Sequence, residues 1–218
     1  MNVALVRTFL NLFFAGGFVR LKRLALLIAV LTLIPAAARA QDFGIMESAE
    51  TINQGNFKIR ANPMFLVGRD GGDADAGVAL LAGYGFTPKF DLEGGLAFYD
   101  GVTFFGANAE YWLVKRAPLD VSVAAGLHRR TGDATSAYNG IDLTFLASGR
   151  ASPRLDIYGG VDFAFEGIGV PGGFKTAHLV PGLEYKANDT IDLVVEAGLA
   201  LNDSSRHYFS GGIAIYFR

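Results

Sequence analysis

Cysteine is absent from the 218-residue chain, and charged residues make up only 18% of it. The lack of cysteine excludes a disulfide framework, a thiolate metal site and a cysteine nucleophile. Apolar residues make up 51%, which is more than most soluble domains contain. The formal net charge of −2 becomes −7 after residue 40, because residues 1–40 hold five cations and no acid. An acidic chain without a basic cluster argues against nucleic acid as a partner.

The chain also lacks an apolar run of the roughly 20 residues that a helix needs to cross a bilayer. The best candidate, residues 24–35, has twelve residues and follows the basic stretch RLKR. Small residues, Ala38 and Ala40, come after it at the positions expected before a cleavage site. This order of basic, apolar and small-residue regions is typical of a secretory signal and favours it over a membrane anchor. We therefore predict a signal peptide over 1–40 and a mature chain that begins at Gln41.

Long windows with apolar residues at helical spacing are missing after residue 40, where apolar and polar residues alternate between groups of turn residues. In NFKIRANPMFLVG, residues 56–68, one set of alternate positions is wholly apolar and the other includes Lys58 and Arg60. Such alternation is typical of β-strands with two unlike faces. Nine further runs repeat it, at residues 76–86, 90–99, 102–114, 119–130, 139–150, 155–166, 175–186, 190–201 and 207–217.

The two faces of the predicted strands differ in chemistry. We expect the apolar face to carry no Asp, Glu, Lys or Arg in any segment. The opposite face collects the charged residues together with glycines, which weaken strands and are not needed on a solvated surface. Small residues there leave room for large side chains in a narrow interior. These glycines are Gly83, Gly95, Gly106, Gly126, Gly160, Gly182, Gly198 and Gly212.

Alternation alone leaves open which face is outside. The apolar face is the core of a soluble barrel or sandwich, but it meets lipid in an outer-membrane barrel. The glycines favour the membrane, as do runs of about 10–12 residues, which suit a tilted strand that crosses hydrocarbon. Aromatic residues at both ends of the apolar face are typical of interfacial girdles. They are Phe57, Phe86, Phe90, Tyr111, Tyr185 and Phe217 at one end and Phe65, Phe98, Phe105, Phe165 and Phe209 at the other.

We therefore predict an all-β fold, a closed antiparallel transmembrane β-barrel over residues 56–218, after the cleaved signal peptide. About ten strands are expected, with eight as the alternative because two of the runs have less regular ends. Short connections at 87–89, 114–118, 151–154 and 187–189 alternate with others at 69–75, 129–137, 167–174 and 202–207. An even strand number places both chain ends beside the short, periplasmic turns. Residues 41–55 are predicted to be a periplasmic lead-in that either enters the barrel mouth or simply precedes the first strand.

The chain ends in YFSGGIAIYFR, residues 208–218, although a C-terminus is usually frayed and solvated. Ser210 is followed by Gly212, then by Ile215 and Phe217 at alternate positions. This order resembles the C-terminal signal of Gram-negative outer-membrane β-barrel proteins, from which it departs because Arg218 follows the aromatic residue. The resemblance implies a place in the Gram-negative outer membrane and insertion by the barrel-assembly machinery with periplasmic chaperones. Outer-membrane lipid and lipopolysaccharide are then the expected surroundings.

Ten strands enclose a narrow interior, close to the size that side chains fill. We expect its charges to form an ion network, because unpaired charges in a confined lumen are costly. The predicted network comprises Lys58, Arg60, Glu93, Glu110, Asp162, Glu184 and Glu196. The candidate partners of its two cations are Glu110, Asp162, Glu184 and Glu196. The predicted function is a structural role or narrow passive permeation of small solutes or cations.

Candidate sites for catalysis or metal binding are weak. His128 and His178 fall on the polar face of separate strands, and two ligands without a third do not define a metal site. Residues 204–207, Ser-Ser-Arg-His, form the most enzyme-like cluster. They lack the His-x-Ser spacing of one family of lipid A deacylases and the paired acids of rim proteases. We predict no cofactor, metal or catalytic residue; the alternative is a barrel enzyme that acts on lipid A or peptides at the extracellular rim.

Overall fold

The computed structural model describes residues 44–67, 74–99, 101–116, 118–132, 137–168 and 173–218. The predicted signal peptide and the predicted mature start at Gln41 lie outside these residues and stay predictions. Regular structure in the described residues consists of β-strands. No helix in this part of the chain is long and apolar enough to cross a membrane.

Ten strands form a single closed sheet within the described residues. They are β1 (Phe57–Leu66), β2 (Asp75–Thr87), β3 (Phe90–Tyr99), β4 (Val102–Arg116), β5 (Leu119–Gly132), β6 (Tyr138–Ser152), β7 (Leu155–Glu166), β8 (Phe174–Asn188), β9 (Ile191–Ala200) and β10 (Tyr208–Phe217). Consecutive strands pair antiparallel, and β10 returns to pair with β1. The predicted all-β closed antiparallel barrel is confirmed, with ten strands rather than eight.

The sheet closes along almost the whole of its last strand, from Phe57 opposite Phe217 to Leu66 opposite Tyr208. The turns after β2, β4, β6 and β8 lie at the end of the barrel where β1 begins and β10 ends, and we call this the short-turn end. The opposite end is the loop end. A register shift stands beside each of these four turns, for example between Gly85 and Thr87. Such bulges increase local twist, which helps a sheet to close.

Alternate residues of each strand point out of the barrel and into it. On β1, Ile59 and Phe65 expose 52% and 59% of their surface, whereas Lys58 and Arg60 expose 4% and 2%. Apolar side chains therefore cover the outside and charged ones line the inside. A soluble barrel would have the reverse arrangement, because its charges would face water.

The expectation that no charged residue lies on the apolar face is wrong at the loop end. Arg129 is opposite Phe105 in register, and Lys175 is opposite Phe165, so both cations share the outer face. Arg129 is exposed and donates to Asn139 Oδ1 over 3.0 Å. Each cation stands close to a strand end, where the outer face leaves hydrocarbon for the polar headgroups and a long cationic side chain is tolerated.

Candidate functional site: a lumen filled by the N-terminal segment

Residues 44–52 lie inside the barrel, and we call them the lumen segment. Its residues 45–49 and 51–52 are buried, and Ala49 has no exposed surface. These described residues contain no strand; a parallel bridge forms only beyond them, between Gln54 and Gly85 at the short-turn end. Residues 53–55 are exposed there. The short-turn half of the lumen is thus occupied by the protein's own chain.

Both cations of the predicted network contact this segment. Lys58 Nζ lies 2.6 Å from Glu47 Oε2 and 2.5 Å from Glu93 Oε1. Arg60 Nη2 lies 2.8 Å from Glu93 Oε2, and Arg60 Nη1 lies 3.5 Å from Glu47 Oε2. The ion pairs of the described residues therefore join the cations to Glu93 and Glu47, which differ from the four partners expected. Sequence reasoning missed Glu47 because it left open whether the lead-in enters the barrel.

Glu196 and Arg60 together hold one dipeptide of the lumen segment. Glu196 Oε1 accepts from the Ile45 N–H over 3.0 Å, and Oε2 accepts from the Met46 N–H over 2.5 Å. Arg60 Nη1 donates to the carbonyl oxygens of Ile45 and Met46 over 2.8 and 2.7 Å. Gly44 and Met46, the residues on either side of Ile45, have left-handed backbones with φ of 70° and 55°. Left-handed residues at alternate positions aim successive N–H groups at one anion. We call this arrangement the Glu196–Arg60 clamp.

Other wall side chains accept from further N–H groups of the segment. Glu184 Oε2 accepts from the Ser48 N–H over 3.0 Å, and Asp91 Oδ2 accepts from the Ile52 N–H over 2.6 Å. The Ser148 hydroxyl accepts from the Ala49 N–H over 3.1 Å. Three lumen carboxylates, including Glu196, are therefore partnered by main-chain donors, which offsets part of the cost of burying more acids than bases.

The segment is also tied down by ion pairs near the short-turn end. Glu50 Oε1 lies 3.1 Å from Arg150 Nη2, and its Oε2 lies 3.0 Å from Lys186 Nζ. The same two cations contact Asp156 at 3.3 and 2.9 Å. Arg150 is about half exposed, so these outer pairs contribute less than the buried ones around Lys58.

The two remaining members of the predicted network are in the wall but stand apart from the Lys58 and Arg60 ion pairs. Asp162 Oδ1 accepts from the Thr144 hydroxyl over 2.6 Å. Glu110 on β4 is 3% exposed. The structure thus gathers Lys58, Arg60, Glu93, Glu184 and Glu196 around the lumen segment. Glu110 is opposite Asp91 in register, and within the described residues neither Glu110 nor Asp162 forms an ion pair with Lys58 or Arg60.

Two tyrosines complete the clamp, and sequence reasoning assigned neither to it. Tyr158 donates to Glu196 Oε2 over 2.8 Å, and Tyr208 donates to Glu196 Oε1 over 2.7 Å. Each ring lies across a glycine directly opposite in register, Gly182 for Tyr158 and Gly198 for Tyr208. The signal that could have found them is a lumen-facing tyrosine paired with a lumen-facing glycine on the next strand.

A small space remains on the loop side of the segment. It has a volume of about 60 Å³, and its lining includes Gly44, Asp142, Asp162, His178 and Tyr208. Nearby, His128 Nδ1 lies 2.8 Å from Asp142 and its Nε2 lies 2.8 Å from Glu166, so both ring nitrogens are engaged. The described residues contain no group of three His, Cys, Asp or Glu that could hold a metal ion.

Side chains of the enzyme-like cluster make structural contacts at the loop end. The Ser205 hydroxyl accepts from the Ala177 N–H over 2.8 Å and contacts Asn202 Oδ1 at 2.7 Å. His207 Nδ1 accepts from the Ala200 N–H over 3.0 Å. Arg206 pairs with Asp75 of β2. These bonds fasten the connection between β9 and β10 to its neighbours.

The four residues of the predicted assembly signal lie on β10. The Ser210 hydroxyl donates to the Pro63 carbonyl over 2.8 Å, and Gly212 lies against Ala61 and Asn62. Ile215 and Phe217 are opposite Ile59 and Phe57 on the outer face. Their placement shows how β10 closes the sheet; their recognition by assembly machinery stays a prediction.

Comparison with known proteins agrees with this architecture. A family model described as "Outer membrane protein beta-barrel domain" matches residues 24–211. Among solved structures, an outer membrane channel from Pseudomonas putida F1 has 9% identity and a TM-score of 0.51, with 82% of this chain and 100% of that chain covered. The KdgM porin has 15% identity and a TM-score of 0.47, with 74% and 99% covered. The likeness to the Pseudomonas putida channel concerns the fold alone.

A search of curated proteins finds no match. The family model spans most of the chain, and the structure independently shows a closed barrel with an apolar exterior. The chain therefore belongs to the outer-membrane β-barrel protein family and is an integral protein of the Gram-negative outer membrane.

Proposed function

We propose that this protein is a non-enzymatic barrel, closed at rest, with a structural role in the outer membrane. The observation that carries the proposal is the buried lumen segment, which the Glu196–Arg60 clamp fixes across the short-turn half of the lumen. The remaining space of about 60 Å³ suffices for a few water molecules, since one needs about 10–15 Å³ by this measure.

Narrow passive permeation is the second candidate, and the character of the lumen favours it. Part of the hold on the segment comes from polar groups of the wall, which water can replace once the segment moves. Asp142, Asp162 and Glu93 line the remaining space, and an opened path with these carboxylates would prefer cations. The two candidates differ in whether the segment leaves the lumen.

Planar-bilayer recording distinguishes them. We expect the intact protein to give no conductance steps, because the segment blocks the lumen. The chain has no cysteine, so the double variant Ala49→Cys, Ser148→Cys carries the only possible disulfide and locks the segment to β6, where Ala49 N and Ser148 Oγ are 3.1 Å apart. If the double variant gives cation-selective steps that vanish on oxidation and return on reduction, the structural role is wrong. The barrel then conducts when the segment moves.

The disulfide is a better way to block the lumen than the substitution of bulky residues for glycines of the inner wall. A Cβ on Gly106 would lie 2.7 Å from the Leu127 carbonyl oxygen, and one on Gly160 would lie 2.7 Å from Ile45 Cδ1. Large side chains there would therefore distort the wall or the segment itself. The single variants Ala49→Cys and Ser148→Cys are the matched controls, because neither can form the lock.

A further inference from the structure

We propose that the inner wall of the barrel is a binding site for an extended peptide, and that the lumen segment is its ligand, bound in cis. The proposal goes beyond a closed barrel, because it holds whether or not the barrel conducts. It concerns the wall residues around 44–52, and the ligand class is an irregular, extended peptide of about nine residues with two carboxylates three positions apart.

Recognition of main-chain groups is the first argument. The four polar main-chain groups of Ile45 and Met46 are bound by two wall side chains, Glu196 for the N–H groups and Arg60 for the carbonyls. Glu184 and Asp91 bind two further N–H groups of the segment. Peptide-recognition sites gain affinity from such main-chain bonds and gain specificity from pockets for side chains.

The clamp is built by the wall itself. Tyr158 and Tyr208 bind both oxygens of Glu196, and Glu93 binds Arg60. Each charged group therefore keeps a wall partner even when its peptide partner is absent. Because the wall already holds the Glu196 and Arg60 side chains in position, peptide binding loses less conformational entropy at these side chains.

Wall glycines provide sockets for the apolar side chains of the segment. A Cβ on Gly160 would lie 2.7 Å from Ile45 Cδ1, and a Cβ on Gly83 would lie 2.6 Å from Ile52 Cδ1. Any larger wall residue would displace these isoleucines. The two glycines stand on β7 and β2, so the sockets are at separate points along the segment.

Charge complementarity sets the spacing of the acidic residues. Glu47 pairs with buried Lys58, and Glu50 pairs with Arg150 and Lys186 at the short-turn end. A peptide with carboxylates at these two places meets cations from β1, β6 and β8. Main-chain pairing with the sheet begins only at the bridge between Gln54 and Gly85, so the lumen segment is held as a ligand and not as a strand.

The test severs the tether and leaves the barrel whole. A protease recognition site replaces residues 53–55, which are exposed, and the full-length chain is folded before it is cut. Extended dialysis in detergent then removes the severed segment, and mass spectrometry of the barrel checks its loss. A fluorescent synthetic peptide, GIMESAETIN, is then titrated into the cut barrel in detergent and followed by anisotropy. Saturable binding of one peptide per barrel is expected, with no such binding by a scrambled peptide.

Changes on the peptide side identify the clamp and leave the barrel unaltered. Methylation of the Met46 amide nitrogen removes one donor to Glu196 and should weaken binding by about tenfold or more, as expected for a hydrogen bond to a charged group. Methylation at Glu50, outside the clamp, is the matched control and should change the affinity much less. Lys58→Gln in the barrel should weaken the native peptide but add no further loss to a Glu47→Gln peptide.

The proposal is overturned if the cut barrel stays folded, as judged by its faster gel migration before heating, yet does not take up the labelled peptide. Equal binding of the scrambled peptide, or equal effects of methylation at Met46 and Glu50, would also overturn it. In those cases the segment is part of the barrel core and the wall does not recognise it.

Discussion

At the level of single residues, the lumen is shaped by tyrosine rings that lie across glycines. Tyr208 covers Gly198 and Tyr158 covers Gly182, and both hydroxyls end at Glu196. A β-carbon on either glycine would occupy the space of the ring. These glycines are therefore required by packing, although glycine by itself weakens a strand.

Gly198→Ala is expected to destabilise the folded barrel by about 1–3 kcal/mol, the usual cost of overpacking a tight site. Displacement of the Tyr208 ring should also weaken its bond to Glu196. Reversible urea unfolding in lipid vesicles measures the change. Gly211→Ala is the control, since its β-carbon would meet Val194 and Val195 at an ordinary 3.6 Å; equal destabilisation by both substitutions would contradict this account.

At the level of elements, β10 contacts lipid with one face and closes the sheet with its backbone. Its outer face presents Phe209, Ile213 and Phe217 to lipid, and its backbone pairs with both β1 and β9. Closure removes the last open edge, which a strand in hydrocarbon cannot leave unpaired. This pairing explains why residues 208–217 alternate as a strand and carry aromatic residues.

Deletion of residues 216–218 is expected to stall assembly. It removes the pairs of Phe217 with Phe57 and of Tyr216 with Lys58, as well as the bond from the Tyr216 N–H to the Thr190 carbonyl. Membrane insertion in cells, read by the faster migration of unheated barrel on denaturing gels, measures the effect. Removal of Arg218 alone is the control and should leave insertion normal; normal insertion of the longer deletion would count against β10 as the assembly signal.

At the level of the whole molecule, the barrel is apolar outside and charged inside, and this arrangement determines how it responds to new charges. Leu80, near the middle of β2, and Leu119, beside a short turn, both face outward and are 46% and 39% exposed. Depth within the membrane is the main difference between these two sites.

Leu80→Arg is expected to cost about 2–4 kcal/mol of folding free energy, and Leu119→Arg at most about 1 kcal/mol, because the penalty for a cation falls from midplane to interface. Unfolding in vesicles measures both values. Similar costs at the two positions would show that the outer surface is not embedded in hydrocarbon.

Several features were predictable from local sequence because they depend on neighbouring residues alone. Period-two alternation defines the strands and their two faces, so the ten runs match β1 to β10 with ends that differ by a few residues. The same rule failed at Arg129 and Lys175, since alternation carries no information on where the outer face meets polar headgroups.

The partners of the lumen charges could not be predicted. Lys58 and Arg60 could be assigned to the interior, but Glu47 reaches them from a segment with no alternation and no strand pairing of its own. Tyr158 and Tyr208 join Glu196 because β7 and β10 flank β8 and β9 in the closed sheet.

The sequence by itself determined the runs of alternating residues and their two unlike faces, because both follow from backbone geometry repeated every two residues. Glycines and terminal aromatic residues favoured an apolar exterior, and the closed sheet decided for ten strands over eight. Only the tertiary structure decided that the N-terminal segment fills the lumen and that carboxylates there accept its N–H groups. Those contacts join residues up to 151 positions apart, and they exist only once the sheet has closed around the segment.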